Sequence, residues 1–118
     1  MKRKMTKSLT IHINKKPLSV NKAWQGKRFK TKDYQAYECE LLYSIPAQQL
    51  PKSPYSISFE FGFSNINSDW DNPIKPLQDI LQKKLGFNDK DIYEAYVKKV
   101  KVKKGQEYSR VEIRTLTK

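Results

Sequence analysis

Cysteine, histidine and long apolar runs are scarce in this chain, and each scarcity excludes a class of function. Cys39 is the only cysteine, so an intramolecular disulfide and a cysteine-based zinc site are both excluded. His12 is the only histidine, and we interpret it as a structural strand residue. No apolar run reaches transmembrane length, and the N-terminus lacks the apolar core of a signal peptide. We therefore expect a reducing, cytoplasmic setting without membrane attachment, and we interpret Cys39 as a small core residue.

Negative charge is also in short supply. The 118 residues carry 24 Lys and Arg against 12 Asp and Glu, a formal net charge of +12. An imbalance of this size is typical of proteins that bind polyanions, and the alternative is a basic domain with no nucleic-acid role. The length predicts one domain, whose small core would gain stability from a second copy.

Hydrophobic periodicity predicts four strands and two helices after a flexible basic arm at residues 1–8. Strands are expected at 9–13, 55–64, 92–103 and 108–116, and helices at 32–45 and 73–85. Tyr34, Tyr37 and Leu41 form the apolar stripe of the first helix, for which Thr31 is the expected N-cap. The alternation slips between Val97 and Lys103, which predicts a bulge or a twisted ribbon there. The predicted fold is α/β: one small domain over residues 9–118, with a mixed sheet in the order β-α-β-α-β-β and a C-terminal hairpin.

Two basic stretches are candidates for contact with nucleic acid. Residues 18–32 interleave cations with aromatic rings, a pattern suited to gripping phosphates while a ring stacks on a base. The alternative is a basic hairpin whose aromatic side chains return to the core. The strand after residue 92 carries a row of lysines. Together these stretches give the candidate DNA-binding residues Lys22, Trp24, Lys27, Arg28, Phe29, Lys30, Lys98 and Lys101.

Two acidic residues lie close together in a chain whose net positive charge should repel a cation. Asp69 and Asp71 lie two residues apart, so in an extended segment both carboxylates point the same way. Two like charges held this close are unfavourable unless a cation or a proton lies between them, and Mg²⁺ prefers such oxygen ligands. Lys75 is expected one turn above the carboxylates, directed at whatever they hold. The alternative is a polar turn in which Asn72 caps the second helix and Pro73 begins it.

These motifs resemble the RusA-type Holliday-junction resolvases, which are small dimeric Mg²⁺-dependent endodeoxyribonucleases common in phages and prophages. The resemblance covers residues 9–115. It is carried by Asp69-x-Asp71-Asn72-x-x-Lys75, by Asp79, by Gly86-Phe87 with Asp89 and the basic strand from Ile92, and by the early Ser19-Val20-Asn21.

The resemblance implies a site and a function. Asp69, Asp71 and Asp89 would be the metal-binding carboxylates, with Asp91 as the alternative to Asp89, and Lys75 would be the catalytic lysine. The implied cofactor is Mg²⁺, with Mn²⁺ as a substitute. The implied activity is resolution of four-way DNA junctions by paired symmetric cuts, performed by a homodimer in the cytoplasm of a bacterium or a phage-infected cell. From the residues alone, a non-enzymatic nucleic-acid-binding module and an RNA-directed nuclease remain open.

Overall fold

Two helices cover one face of a four-stranded sheet in a computed structural model of the protein, which describes residues 8–19, 24–25, 29–65 and 67–116. The strands are β1 (Ser8–Ile13), β2 (Trp24–Gln25), β3 (Phe29–Lys30), β4 (Tyr55–Phe63), β5 (Ile92–Lys101) and β6 (Tyr108–Thr115). The helices are α1 (Lys32–Ser44) and α2 (Ile74–Leu85), and a 3-10 turn spans Asp89–Asp91. The basic arm lies outside the described residues, except for Ser8.

The sheet has the order β1-β6-β4-β5, and the small β2–β3 ladder is separate from it. β4 pairs parallel with β5 and antiparallel with β6, which pairs antiparallel with β1. β5 and β6 follow one another through a turn at Gly105, where φ is +93°, and they lie on opposite sides of β4. The α/β class, the mixed sheet and the order of the six main elements are as the periodicity predicts.

Alternation of apolar and polar residues in β1, β4 and β6 builds the core. The odd-numbered residues of β4 from Ile57 to Phe63 are buried against the helices, as are Val111 and Ile113 of β6. Tyr34, Tyr37 and Leu41 of α1 are buried as predicted. The opposite, open face of the sheet carries the even-numbered residues of β4. None of the described helices is long and apolar enough to cross a membrane.

Thr31 caps α1 as predicted, because its Oγ1 accepts a hydrogen bond from the Tyr34 amide at 3.1 Å. Cys39 is exposed, so its interpretation as a core residue was wrong. It lies two residues beyond Tyr37 on α1, about 200° around the helix from that buried ring. Gly86 ends α2 in the left-handed conformation with φ of +85°, where a residue without Cβ is favoured.

The irregularity in β5 lies earlier than predicted. Tyr55 pairs with Ile92 and Ser56 pairs with Glu94, so Tyr93 is the extra residue. From there the register is unbroken to the pair Phe63–Lys101, and the predicted bulge between Val97 and Lys103 was wrong. β5 is an edge strand, so lysines on either of its faces reach water. The order of polar and apolar residues in β5 therefore does not show which residues share a face.

Candidate functional site

The loop between β4 and α2 carries the first pair of acidic residues. β4 ends at Phe63, and Asp69, Trp70 and Asp71 follow in an irregular segment rather than at an extended strand end. All three residues are exposed, and Trp70 is 55% exposed despite its size. Both carboxylates are therefore accessible to a ligand from solvent.

Asn72 orients Asp69 instead of capping the helix. Its Nδ2 donates a hydrogen bond to Asp69 Oδ2 at 3.2 Å. Pro73 occupies the cap position of α2 and makes no side-chain cap, so the alternative in which Asn72 caps the helix is not what the structure shows. The Asn72 side-chain amide binds the nearby carboxylate instead of the helix end. This hydrogen bond orients one oxygen of Asp69 and leaves the other for a further partner.

Lys75 does not point at the carboxylate pair. Its Nζ binds Asp79 Oδ1 at 3.1 Å, one helical turn towards the C-terminus, and its side chain is 61% exposed. Lys75 and Asp79 are four residues apart and lie on the same side of α2, which accounts for this ion pair. An exposed pair of this kind is weak, so a bound anion of higher charge can compete for Lys75.

Lys99 contacts the acidic loop, although its sequence position does not single it out. Its Nζ donates to the backbone carbonyl of Ser68, next to Asp69. It also lies 5.8 Å from the centroid of the Phe63 ring. Lys99 pairs with Phe61 in the parallel ladder, which puts it on the helix side of the sheet. That register separates Lys99 from Lys98 but not from Lys101, so no sequence signal identifies Lys99.

Asp89 and Asp91 lie at the other end of the sheet. Their 3-10 turn immediately precedes Ile92, and Ile92 pairs with Tyr55, the first residue of β4. Asp69 and Asp71 instead follow the last residue of β4. The nine residues of β4 span about 26 Å, so strand length separates the two acidic segments.

The expected convergence of Asp69, Asp71 and Asp89 is therefore not met within one chain, and Asp91 is displaced in the same way. Consistently, no three His, Cys, Asp or Glu side chains form a group that could hold a metal ion in the part of the chain that the structure describes. Within a single chain, the carboxylates available to one ion at the β4–α2 loop are those of Asp69 and Asp71.

A cavity of about 610 Å³ opens beside this loop. Asp69 and Asn72 line one side of it, Asp33 and Tyr37 of α1 line another, and Lys16 follows from the segment after β1. The acidic loop thus borders a concave, mixed-charge surface rather than a flat one. A substrate group next to the carboxylates can be enclosed on more than one side.

The predicted DNA-binding residues fall into two groups. Lys22, Lys27 and Arg28 lie outside the described residues. The side chains of Trp24, Phe29 and Lys30 are likewise outside the description, although their backbones form the β2–β3 ladder with Trp24 opposite Lys30. Lys98 and Lys101 are exposed on β5. Lys98 pairs with Glu60 on the open face, whereas Lys101 pairs with Phe63 on the helix side.

No known protein-family model matches the chain, and no curated protein sequence matches it. The resemblance to the RusA-type resolvases therefore rests on the motif residues alone.

Proposed function

We propose that this protein is a metal-dependent, structure-selective DNA endonuclease that cuts four-way junctions. The observation that carries the proposal is the exposed pair Asp69 and Asp71, retained on a loop at the end of the central strand in a chain of net charge +12. A basic protein that only gripped DNA would gain affinity by losing these carboxylates, because they repel phosphate.

The donor chemistry of the loop fits Mg²⁺ and also Mn²⁺. Proteins commonly hold Mg²⁺ by one or two carboxylates together with water and substrate oxygens, and Asp69 and Asp71 supply two. When bound, the ion supplies charge relief at the phosphate and lowers the pKa of a water. Asn72 keeps one oxygen of Asp69 oriented, and Lys99 holds the backbone of the same loop. Lys75, released from Asp79, would bind a phosphate oxygen as negative charge develops there.

The third carboxylate is proposed to come from a second copy of the chain. Asp89 is separated from Asp69 by the length of β4 within one chain, so only another subunit can bring an Asp89 carboxylate to the loop. Asp91 is the alternative in the same position. A homodimer with two-fold symmetry would then hold two equivalent sites, which suits paired cuts on two strands of a branched DNA.

The basic residues are proposed to supply affinity rather than sequence selection. Cations that neutralise phosphates release counterions, so binding of duplex arms weakens with salt at a slope near −0.9 per phosphate on a log–log plot. Lys22, Lys27, Arg28 and Lys30 surround the aromatic residues Trp24 and Phe29 in sequence, and Lys101 lies on the same side of the sheet as the acidic loop. This arrangement would guide the junction arms towards Asp69.

The test uses Asp69→Asn, with Glu112→Gln on the open face as a control for the loss of one charge. A labelled four-way junction is incubated with each variant in Mg²⁺ and in Mn²⁺, and binding is measured separately in Ca²⁺. We expect Asp69→Asn to lose cleavage by 100-fold or more, by the scale of lost electrostatic stabilisation (about 10²–10³), while binding is kept. Cleavage of the junction by Asp69→Asn at the wild-type rate would refute the metal site. Binding without cleavage by the wild-type protein, in both metals and across pH, would instead favour the non-enzymatic module, and preference for structured RNA would favour the RNA-directed nuclease.

The shared site has its own test. Asp69→Asn and Asp89→Asn chains are each expected to be inactive, but co-expressed chains form heterodimers in which one of the two sites has both aspartates. Such mixtures should nick one strand of the junction. If all carboxylates of a site belonged to one chain, no mixture of these variants would recover activity. The same pair made with Asp91→Asn decides between Asp89 and Asp91.

A further inference from the structure

Trp70 is a large aromatic side chain that the fold leaves in solvent. It is 55% exposed. In the described part of the chain, it belongs neither to the buried core nor to the partly buried hydrophobic residues that pack against that core. The other large exposed hydrophobic residues of the described chain are three tyrosines on α1 and β5, so Trp70 alone lies on the acidic loop. Core packing therefore does not explain an indole ring between Asp69 and Asp71.

The backbone on both sides of Trp70 is tied to the rest of the fold. Before it, Lys99 Nζ donates a hydrogen bond to the Ser68 carbonyl. After it, the Ile74 amide donates to the Asp71 carbonyl at 3.2 Å. The ring is therefore presented from a held segment, and it has only two side-chain torsions to order on binding. A flat ligand can cover such a ring at a small cost in conformational entropy.

The neighbours of Trp70 select the kind of partner that can cover its ring. Asp69 and Asp71 adjoin it in the chain, and both are exposed. A protein surface that buried the indole would take two carboxylates out of water with it, which is costly without opposite charges. A nucleobase can stack on the ring alone and leave both carboxylates hydrated. Every base has a π-face, so an exposed indole accepts any of them.

We propose that Trp70 stacks on a base at the branch point of the DNA junction, next to the phosphate that is cut. This contact deepens the proposed nuclease function and rests on it, because that function brings the phosphate to the acidic loop. Consecutive Cα atoms are about 3.8 Å apart, so the indole belongs to the residue next to either carboxylate. A base is joined to the phosphate of its own nucleotide through one sugar. A phosphate at Asp69 and Asp71 therefore carries its base to the Trp70 ring.

The contact distinguishes a junction from a continuous duplex. In a duplex each base lies between two neighbours, so a ring can stack only after a base step is opened and the helix is kinked. At a branch point two arms can part without kinking a helix, which opens the face of the last base pair of each arm. Stacking on an aromatic ring strengthens the binding of a base by roughly 5- to 150-fold. Trp70 thus supplies a preference for branched DNA, whereas lysines bind the phosphates of any duplex.

The test measures binding in Ca²⁺, without cleavage, to a four-way junction and to a duplex with the sequence of one arm. We expect Trp70→Ala to bind the junction about tenfold more weakly than the wild type and the duplex equally well, by the scale of base–aromatic stacking. Trp70→Leu should lose the preference in the same way, because it is apolar but has no ring, and Trp70→Phe should keep most of it. The matched control is Tyr43→Ala, which removes an exposed aromatic residue from α1 and should change neither affinity.

A fluorescent base reports the contact directly. 2-Aminopurine emits weakly when it is stacked and strongly when it is not, so it is placed in turn at the branch point and in the middle of an arm. With the DNA saturated by protein, emission from the branch point should be lower with the wild type than with Trp70→Ala. Emission from the arm should be the same with both proteins.

Several outcomes would overturn the proposal. These are a wild type with no preference for the junction, an equal loss on both DNAs, no loss on either, and branch-point emission that does not depend on Trp70. Sedimentation velocity without DNA tests the competing partner: if Trp70→Ala dissociates a dimer that Tyr43→Ala retains, the ring packs against a second copy and the proposal is wrong. Thermal unfolding is measured alongside, and if Trp70→Ala is unfolded, Trp70→Leu decides.

The contact and the nuclease can fail separately. Junction binding that depends on Trp70 in a wild-type protein that cuts nothing would refute the nuclease and retain the stacking contact. Cleavage by a protein whose alanine and leucine variants keep the wild-type preference would leave the nuclease standing and refute only the role of Trp70.

Discussion

The Tyr108 ring covers Gly62 on the open face of the sheet, and this close approach yields a quantitative prediction. Gly62 of β4 lies directly opposite Tyr108 of β6. A Cβ placed on Gly62 would lie 2.4 Å from Tyr108 Cε1 and 2.5 Å from Cδ1. Carbon atoms in good contact are about 3.5–4.0 Å apart. The Gly62→Ala change therefore requires the Tyr108 ring to move by about 1 Å or more.

Tyr108 is held on two sides, so this movement has a cost. Its hydroxyl donates a hydrogen bond to the Glu60 carboxylate, and its ring stacks on His12 with centroids 5.3 Å apart and planes 12° from parallel. Keeping the ring in place costs about 1–3 kcal/mol of overpacking. Moving it away loses a charged hydrogen bond of about 1.5–3 kcal/mol before solvent compensates. The alanine recovers about 0.4–1 kcal/mol of chain entropy, so we expect a net loss near 1–2 kcal/mol.

For a chain of 118 residues, that loss corresponds to a fall in Tm of roughly 4–8 °C. The assay is thermal unfolding of four proteins: wild type, Gly62→Ala, Tyr108→Ala and the double variant. In the Tyr108→Ala background the same glycine change should cost nothing or stabilise slightly, because the clashing ring is gone. An equal loss in both backgrounds would show that Gly62 is required for a backbone reason, and the steric argument would be refuted.

Two further predictions concern the helix side of the sheet. Thr31→Ala removes the cap on the Tyr34 amide and should destabilise the protein by about 1 kcal/mol, whereas Thr31→Ser should retain most of the stability in urea unfolding; equal losses would contradict the cap. Burial, reinforced by Asp79 and then Glu38, raises the pKa of Tyr34 to about 12, above its unfolded value of about 10. The stability from the neutral phenol is therefore complete below pH 10 and lost as pH rises through 12. We therefore expect the free energy of unfolding of Tyr34→Phe to fall less steeply than that of the wild type between about pH 9 and 11.5. An unchanged pH dependence would count against this assignment.

The sequence correctly predicted the features that depend on interactions between residues close together in the chain. The alternation of β4 and the tyrosine stripe of α1 follow from burying one face, and the Thr31 cap follows from an unsatisfied amide. Cys39 was misjudged because composition does not say which way a side chain faces. Asn72 was a candidate cap because the sequence does not say which of two partners an amide prefers. Lys75 was expected at the carboxylates, yet Asp79 is equally close in sequence and lies on the same side of the helix. For Asn72 and Lys75, two local partners compete and sequence spacing does not rank them.

The position of Asp89 relative to Asp69 is a different kind of problem, because topology rather than local chemistry decides it. A strand, a helix and a second strand that pairs parallel to the first return the chain to the starting end of the sheet. Residues that follow the first strand and residues that precede the second are then separated by the strand length, whatever their chemistry. The segments β4, α2 and β5 form such a unit, so a motif that needs both acidic segments cannot be completed by one folded chain. The proposed metal site with all three carboxylates therefore needs a second copy of the chain, which is what the mixing experiment with Asp69→Asn and Asp89→Asn tests.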